Sequence, residues 1–109
     1  MNKPPAFQFY ARDWLVGTAR LTLEEEGAYI RLLAHQWIDG HIPTDERERA
    51  RLLGVDLRKL RRIFVKLGKH FPAGSNGGLK NVRLEDERRK QAEYRELQSK
   101  KGKARHEKA

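Results

Sequence analysis

Cysteine is absent from this chain of 109 residues. That absence excludes disulfides, thiolate nucleophiles and cysteine-based zinc or iron–sulfur centres. Long apolar runs are missing as well. No segment approaches the roughly 20 apolar residues of a membrane-spanning helix. The opening stretch, MNKPPAFQFYARDWL, lacks the apolar core of a signal peptide. Signatures of catalysis are equally scarce. Gly77 and Gly78 are not followed by the Lys-Ser/Thr pair of a phosphate loop. The histidines His35, His41, His70 and His106 belong to no ligand motif; His35, Asp39 and His41 could meet only at a helix end. Glu24, Glu25 and Glu26 read as helix-start acids, not as a catalytic pair. These absences predict a soluble, cytoplasmic protein that is not an enzyme and has no catalytic residues, no cofactor, no metal and no membrane association.

What the chain does have is positive charge. Lys and Arg number 24 against 15 Asp and Glu, for a net charge of +9, and 38% of the residues are hydrophobic. The apolar content suffices for one small domain with one modest core. The charge balance points to a polyanionic partner.

Pro4 and Pro5 should keep residues 1–5 loose. FQFYARDWLVG (residues 7–17) is aromatic-rich and predicts an extended arm or short strand, then a helical turn at residues 13–15. Thr22 and Glu25 make a capping box. Leu23, Gly27, Ile30, Ala34 and Trp37 then recur at helical spacing, and Gly40 and Pro43 end the helix. Ala28 and Leu32 point away from that stripe, so the helix should be buried on two sides, with the N-terminal aromatics or a partner subunit covering the second. Trp14 and Trp37 read as core or interface anchors.

TDERERARLLG (residues 44–54) predicts a short helix capped by Thr44 or Asp45 and stopped by Gly54. After a tight turn, Asp56 caps a longer helix over residues 57–70, with Leu57, Leu60, Phe64 and Leu67 inward. FPAGSNGGLKNVRL (residues 71–84) has the turn residues of a hairpin tip, with Phe71 before it and Leu79, Val82 and Leu84 after it on two short strands. From Glu85 onward the chain is highly charged; its first half predicts a solvated helix with i,i+4 charge pairs, and from about Lys100 a frayed basic tail. The expected fold class is mainly α with a small β-hairpin, a winged helix-turn-helix. The expected division is residues 1–84 as that domain, with its aromatic arm, and 85–109 as charged helix and tail.

In a helix-turn-helix the second helix enters the major groove. Here its outer face would carry Arg58, Arg62, Lys66 and Lys69, with Lys59 at one edge; Lys80 and Arg83 sit near the base of the expected wing. Long cations attract phosphates by releasing condensed counterions. A merely solvated face is the simpler reading, but such faces more often mix signs, as residues 45–51 do. With neither Asn, Gln nor an aromatic on the cationic face, phosphate and shape contacts should outweigh base reading. The seven cations are therefore the candidate DNA-binding residues.

The chain also resembles a known family. Phe9, Tyr10, Asp13, Trp14, Leu15, Thr18, the run Leu21, Thr22, Leu23, Glu24, Glu25, then Gly27, Ala28, Tyr29, Leu32, Leu33, Trp37, Gly40, Ile42 and Pro43 form a pattern similar to the YdaU family of phage and prophage proteins. Val82, Arg83 and Leu84 ahead of acidic residues fit it too, so the resemblance covers roughly residues 7–90. It implies a winged-helix domain like those of phage replication-initiation or replisome-organiser proteins. Double-stranded DNA, a helicase loader or other replication proteins, and a second copy of the chain are the expected partners. It supplies no catalytic residues. A transcriptional regulator of the same fold, or a winged helix used for protein contact, is the alternative.

Overall fold

The computed structural model describes residues 6–74 and 77–107, the side chains of 101–107 excepted. The expected looseness of residues 1–5 falls outside them. Five α-helices follow in order: α1 (Ala11–Gly17), α2 (Leu23–Asp39), α3 (Glu46–Leu53), α4 (Leu57–Leu67), extended by a 3-10 turn (Gly68–His70), and α5 (Val82–Glu107). Among the described residues, no helix is long and apolar enough to cross a membrane.

Local signals start and stop these helices. Thr22 accepts from the Glu25 N–H while Glu25 accepts from the Thr22 N–H, closing the capping box of α2. Asp45 caps α3 and Asp56 caps α4 through their carboxylates. Gly40 (φ 90°) and Gly54 (φ 67°) end α2 and α3 in the left-handed conformation.

Helix α2 is the central post, packed by α3, α4 and α5. Its buried face differs from the expected stripe. Leu23 is 89% exposed, and Gly27 and Ala34 are exposed too. Trp37 is buried as expected of the stripe, Ala28 and Leu32 as expected of the second side, and Leu33 and the polar Glu25 and Gln36 join them. Two polar residues on the inward face broke the apolar period; each is accommodated because it finds hydrogen bonds. The rest of the core comes from Ile42, Ala50, Leu53, Leu60, Ile63, Leu67, Phe71 and Leu84. The aromatic arm covers the flank of α2, with the Phe7 ring 5.6 Å from Trp37 and the Trp14 ring 5.0 Å from Tyr29.

The expected hairpin is not formed, and with it the winged-helix reading is overturned: the described residues contain no strand. Leu79 makes one isolated bridge with Ile42 and another with Ala73. Three features prevent a ladder. Pro72 has no N–H to donate. The N–H and C=O of Leu79 are both taken by Ile42, at 2.9 Å each. Two residues after Leu79, Asn81 already turns the chain into α5: its Oδ1 accepts from the Leu84 N–H at 3.0 Å. Val82 and Leu84, expected on a second strand, are helical. The Ser75 and Asn76 of the expected hairpin tip lie outside the described residues.

Arg88 of α5 reaches back to α2. Its Nη1 donates to the carbonyls of Trp37 (2.9 Å) and Gln36 (3.3 Å). A cation from another helix thus meets the negative end of α2, which has no basic residue in its own last turn. Along α5, residues 92–100 are all exposed, and the molecule extends 62 Å in its longest direction. The helix continues through Glu107, past the fraying point expected near Lys100; residues 108–109 lie outside the described residues.

Candidate nucleic-acid interface

The seven candidate cations fall into two groups. Lys59 and Lys66, on the edge of α4 toward α2, pair with Glu24 (3.0 Å) and Glu25 (3.6 Å); Lys66 also donates to the Arg20 carbonyl at 3.2 Å. On the other edge, Arg61 pairs with Glu46 of α3 at 2.7 Å. Lys80 is half-buried, its Nζ 3.9 Å from Glu85. Arg83 lies on α5, where it donates to Asp13 at 2.9 Å and its guanidinium lies 5.6 Å from the centre of the Tyr10 ring. No wing presents either of the last two. These four candidates, Lys59, Lys66, Lys80 and Arg83, are tied to the chain's own acids.

Arg58, Arg62 and Lys69 form the second group. They share the outward crest of α4 and its 3-10 extension, all are exposed, and none has an acidic partner among the described residues. Arg58 and Arg62 are one turn apart, about 6 Å along the axis. Val65, 83% exposed, lies on the same crest. The edges of α4 are neutralised by flanking helices, while the crest keeps its charge.

The helix-start acids of α2 turn out to be tertiary anchors. Besides the pairs of Glu24 and Glu25, Glu26 accepts from Trp14 Nε1 at 2.6 Å. The hydrogen bond from the Thr22 backbone N–H, aided by Lys66, holds the Glu25 carboxyl below the usual range. Arg49, read from the sequence as part of a mixed-charge solvated helix, is buried instead. Its guanidinium lies 4.3 Å over the Phe64 ring and donates to the Thr44 carbonyl, and burial lowers its pKa.

Beside the crest lies an aromatic cleft of about 420 Å³. Phe7, Phe9, Tyr10, Trp14, Tyr29 and His70 supply its rings, and Lys69 and Arg83 its cations. Phe9 leans on Trp14 at 5.7 Å, Trp14 on Tyr29 at 5.0 Å, and Tyr29 stacks on His70 at 4.8 Å. Asn81 braces the far wall: its Nδ2 donates to the His70 carbonyl at 2.8 Å, and its backbone N–H donates to the buried Gln36 at 2.6 Å. The sequence offered only the aromatic richness of residues 7–14 as a sign of this cleft. The remaining rings come from α2 and the 3-10 turn, too distant in the chain for any spacing rule.

Burial, and secondarily Lys69, push His70 below its ordinary pKa of 6.5. Burial also raises the Tyr29 hydroxyl, against an opposing hydrogen bond with Asn81. Because folding disfavours the proton on His70, the unfolded chain binds it first as pH falls. The stability linked to neutral His70 is therefore present above about 6.5 and is lost as pH drops below it. The depressed carboxyls of Glu25 and Asp86 act only near and below 4.5 and 3.8. Melting temperature should thus fall between pH 7 and about 5, and fall less in His70→Phe, which keeps a ring on Tyr29. Equal slopes in the two proteins would show that His70 is not the titrating group.

Among the described residues, no three His, Asp or Glu side chains are grouped as metal ligands. No curated protein and no solved structure gives a significant match to this chain. Over residues 5–88 it matches the profile of a family described as protein of unknown function (DUF1376). The matched stretch runs from the aromatic arm through α4 to the first turns of α5, and so contains the cleft and the cationic crest; the chain belongs to this family.

Proposed function

We propose that this is a DNA-binding protein of the phage or prophage type, acting in the initiation of DNA replication and gripping duplex DNA with the crest of α4. The observation that carries the reading is the crest itself, which has no acidic partner among the described residues. Arg58, Arg62 and Lys69 keep their charge exposed in a molecule whose other α4 cations are neutralised by neighbouring helices. The net charge of +9 adds long-range attraction to a polyanion. The replication role, and a helicase loader or other replication proteins as partners, rest on the resemblance to the YdaU family.

Fluorescence anisotropy with random duplex and with phage-origin duplex, at two salt concentrations, tests this. Binding should weaken with salt with a logarithmic slope of roughly −2 to −3, the value for about three phosphate contacts. A preference for origin DNA supports the replication role, whereas a single sharp operator elsewhere would replace it with transcriptional regulation. Absence of duplex binding at low salt would make the crest a solvated face and overturn the reading.

A further inference from the structure

The rings of the aromatic cleft are not used by the proposed grip on duplex DNA. Its volume of about 420 Å³ is at the small-ligand end of the range, about 300–1,000 Å³. That is room for a flat ring system and far too little for a folded partner. Phe9 and Tyr10, 58% and 51% exposed, leave ring surface open to a ligand. The chain's own acids at this site are already engaged. Asp13 is paired with Arg83, and Glu87 accepts from the Gln8 N–H at 2.8 Å. Lys69 is the joint between the two surfaces: it lies at the end of the α4 crest and also lines the cleft.

We propose that the cleft receives an unstacked base of single-stranded DNA, held against Phe9 and Tyr10 while Lys69 takes the adjoining phosphate. This rests on the reading of the crest as a phosphate-binding face and extends it from duplex to melted strand. A base supplies the π-face that exposed aromatics stack on, whatever its identity. A phosphodiester supplies the anion that Lys69 lacks among the described residues. The cleft opens beside the crest, so one strand can follow the cations and turn a base inward without leaving the surface.

The test compares oligothymidylate of about 12 nucleotides with an abasic oligonucleotide of the same length, which keeps the phosphates and loses the rings. The native protein should bind oligothymidylate roughly tenfold more tightly, the effect of one stacked base. Trp14, against which Phe9 rests, should report it as quenched fluorescence. In Phe9→Ala and in Tyr10→Ala the advantage over the abasic strand should shrink toward unity, with duplex affinity and the circular dichroism spectrum unchanged. Equal affinity of the native protein for both oligonucleotides overturns this proposal and leaves the crest reading standing. An advantage that survives both substitutions also overturns it, placing the bases elsewhere. Failure of every nucleic acid to bind at low salt overturns both readings together.

Discussion

Replacing both Arg58 and Arg62 by glutamate is expected to lower duplex affinity about 100-fold at moderate salt and to flatten the salt slope by about 2. Each substitution removes one counterion-releasing contact and sets a negative charge where a phosphate would lie. Both side chains are exposed and make no ion pair with a described residue, so the fold has little to lose. Thermal stability should stay within about 0.5 kcal/mol of the native value, as for ordinary surface changes. Unchanged binding by the double variant would remove the crest from the interface. Lys66 is a poor choice for the same purpose, although it neighbours them on the helix. It joins α4 to Glu25 and to the Arg20 carbonyl, so reversing its charge would disturb the packing of α2 and α4 and confuse a binding defect with a folding one.

The second large effect concerns stability. Asn81→Ala should cost about 2–4 kcal/mol, combining a lost helix cap with buried or half-buried groups left unpaired. Asn81 is buried, and its side chain serves two elements at once. Oδ1 caps α5 at the Leu84 N–H, and Nδ2 ties the His70 carbonyl to the same point. Its backbone N–H is meanwhile held by Gln36 from the last turn of α2. One asparagine therefore joins α2, the 3-10 turn and α5. At about 4–8 °C per kcal/mol for a domain of this size, the melting temperature should fall by roughly 10–30 °C. Asn81→Asp separates the two roles: its carboxylate can still cap α5 but cannot donate to His70, so it should recover part of the loss. A drop of only a degree or two in the alanine variant would show that the junction is held by apolar packing instead.

Much of the helical framework could be read along the chain, because its causes are local. The Thr22–Glu25 box, the caps at Asp45 and Asp56 and the stops at Gly40 and Gly54 act within a turn of themselves, and all appear as expected. The inward stripe of α4 was legible for a similar reason, since Leu60, Phe64 and Leu67 recur with the period of the helix and point into the core. The hairpin failed where the signal was also local but the competitor was not. Turn residues at 74–78 do favour a reversal. However, Ile42, distant in the chain, and Asn81, inside the expected second strand, claim the backbone that a ladder would need.

By itself, then, the sequence determined where most helices begin and end, which face of α4 turns inward, and that the chain carries an excess of positive charge. It could not say which charges remain available. Lys66 and Arg62 both read as outer-face cations of α4, yet Lys66 pairs with Glu25 and Arg62 has no acidic partner among the described residues, because only packing sets α2 beside one edge of the helix. Nor could it show that Gln36 and Arg49 are interior, since a polar side chain is buried only when another segment brings it partners. The aromatic cleft belongs to the same class. Its rings come from three stretches of chain whose meeting depends on the burial of α2 and on the single turn that Asn81 makes into α5. Local hydrogen bonds and periodicity are short-ranged and so written in the sequence, whereas neutralisation, polar burial and cavities arise between elements and exist only once the chain has folded.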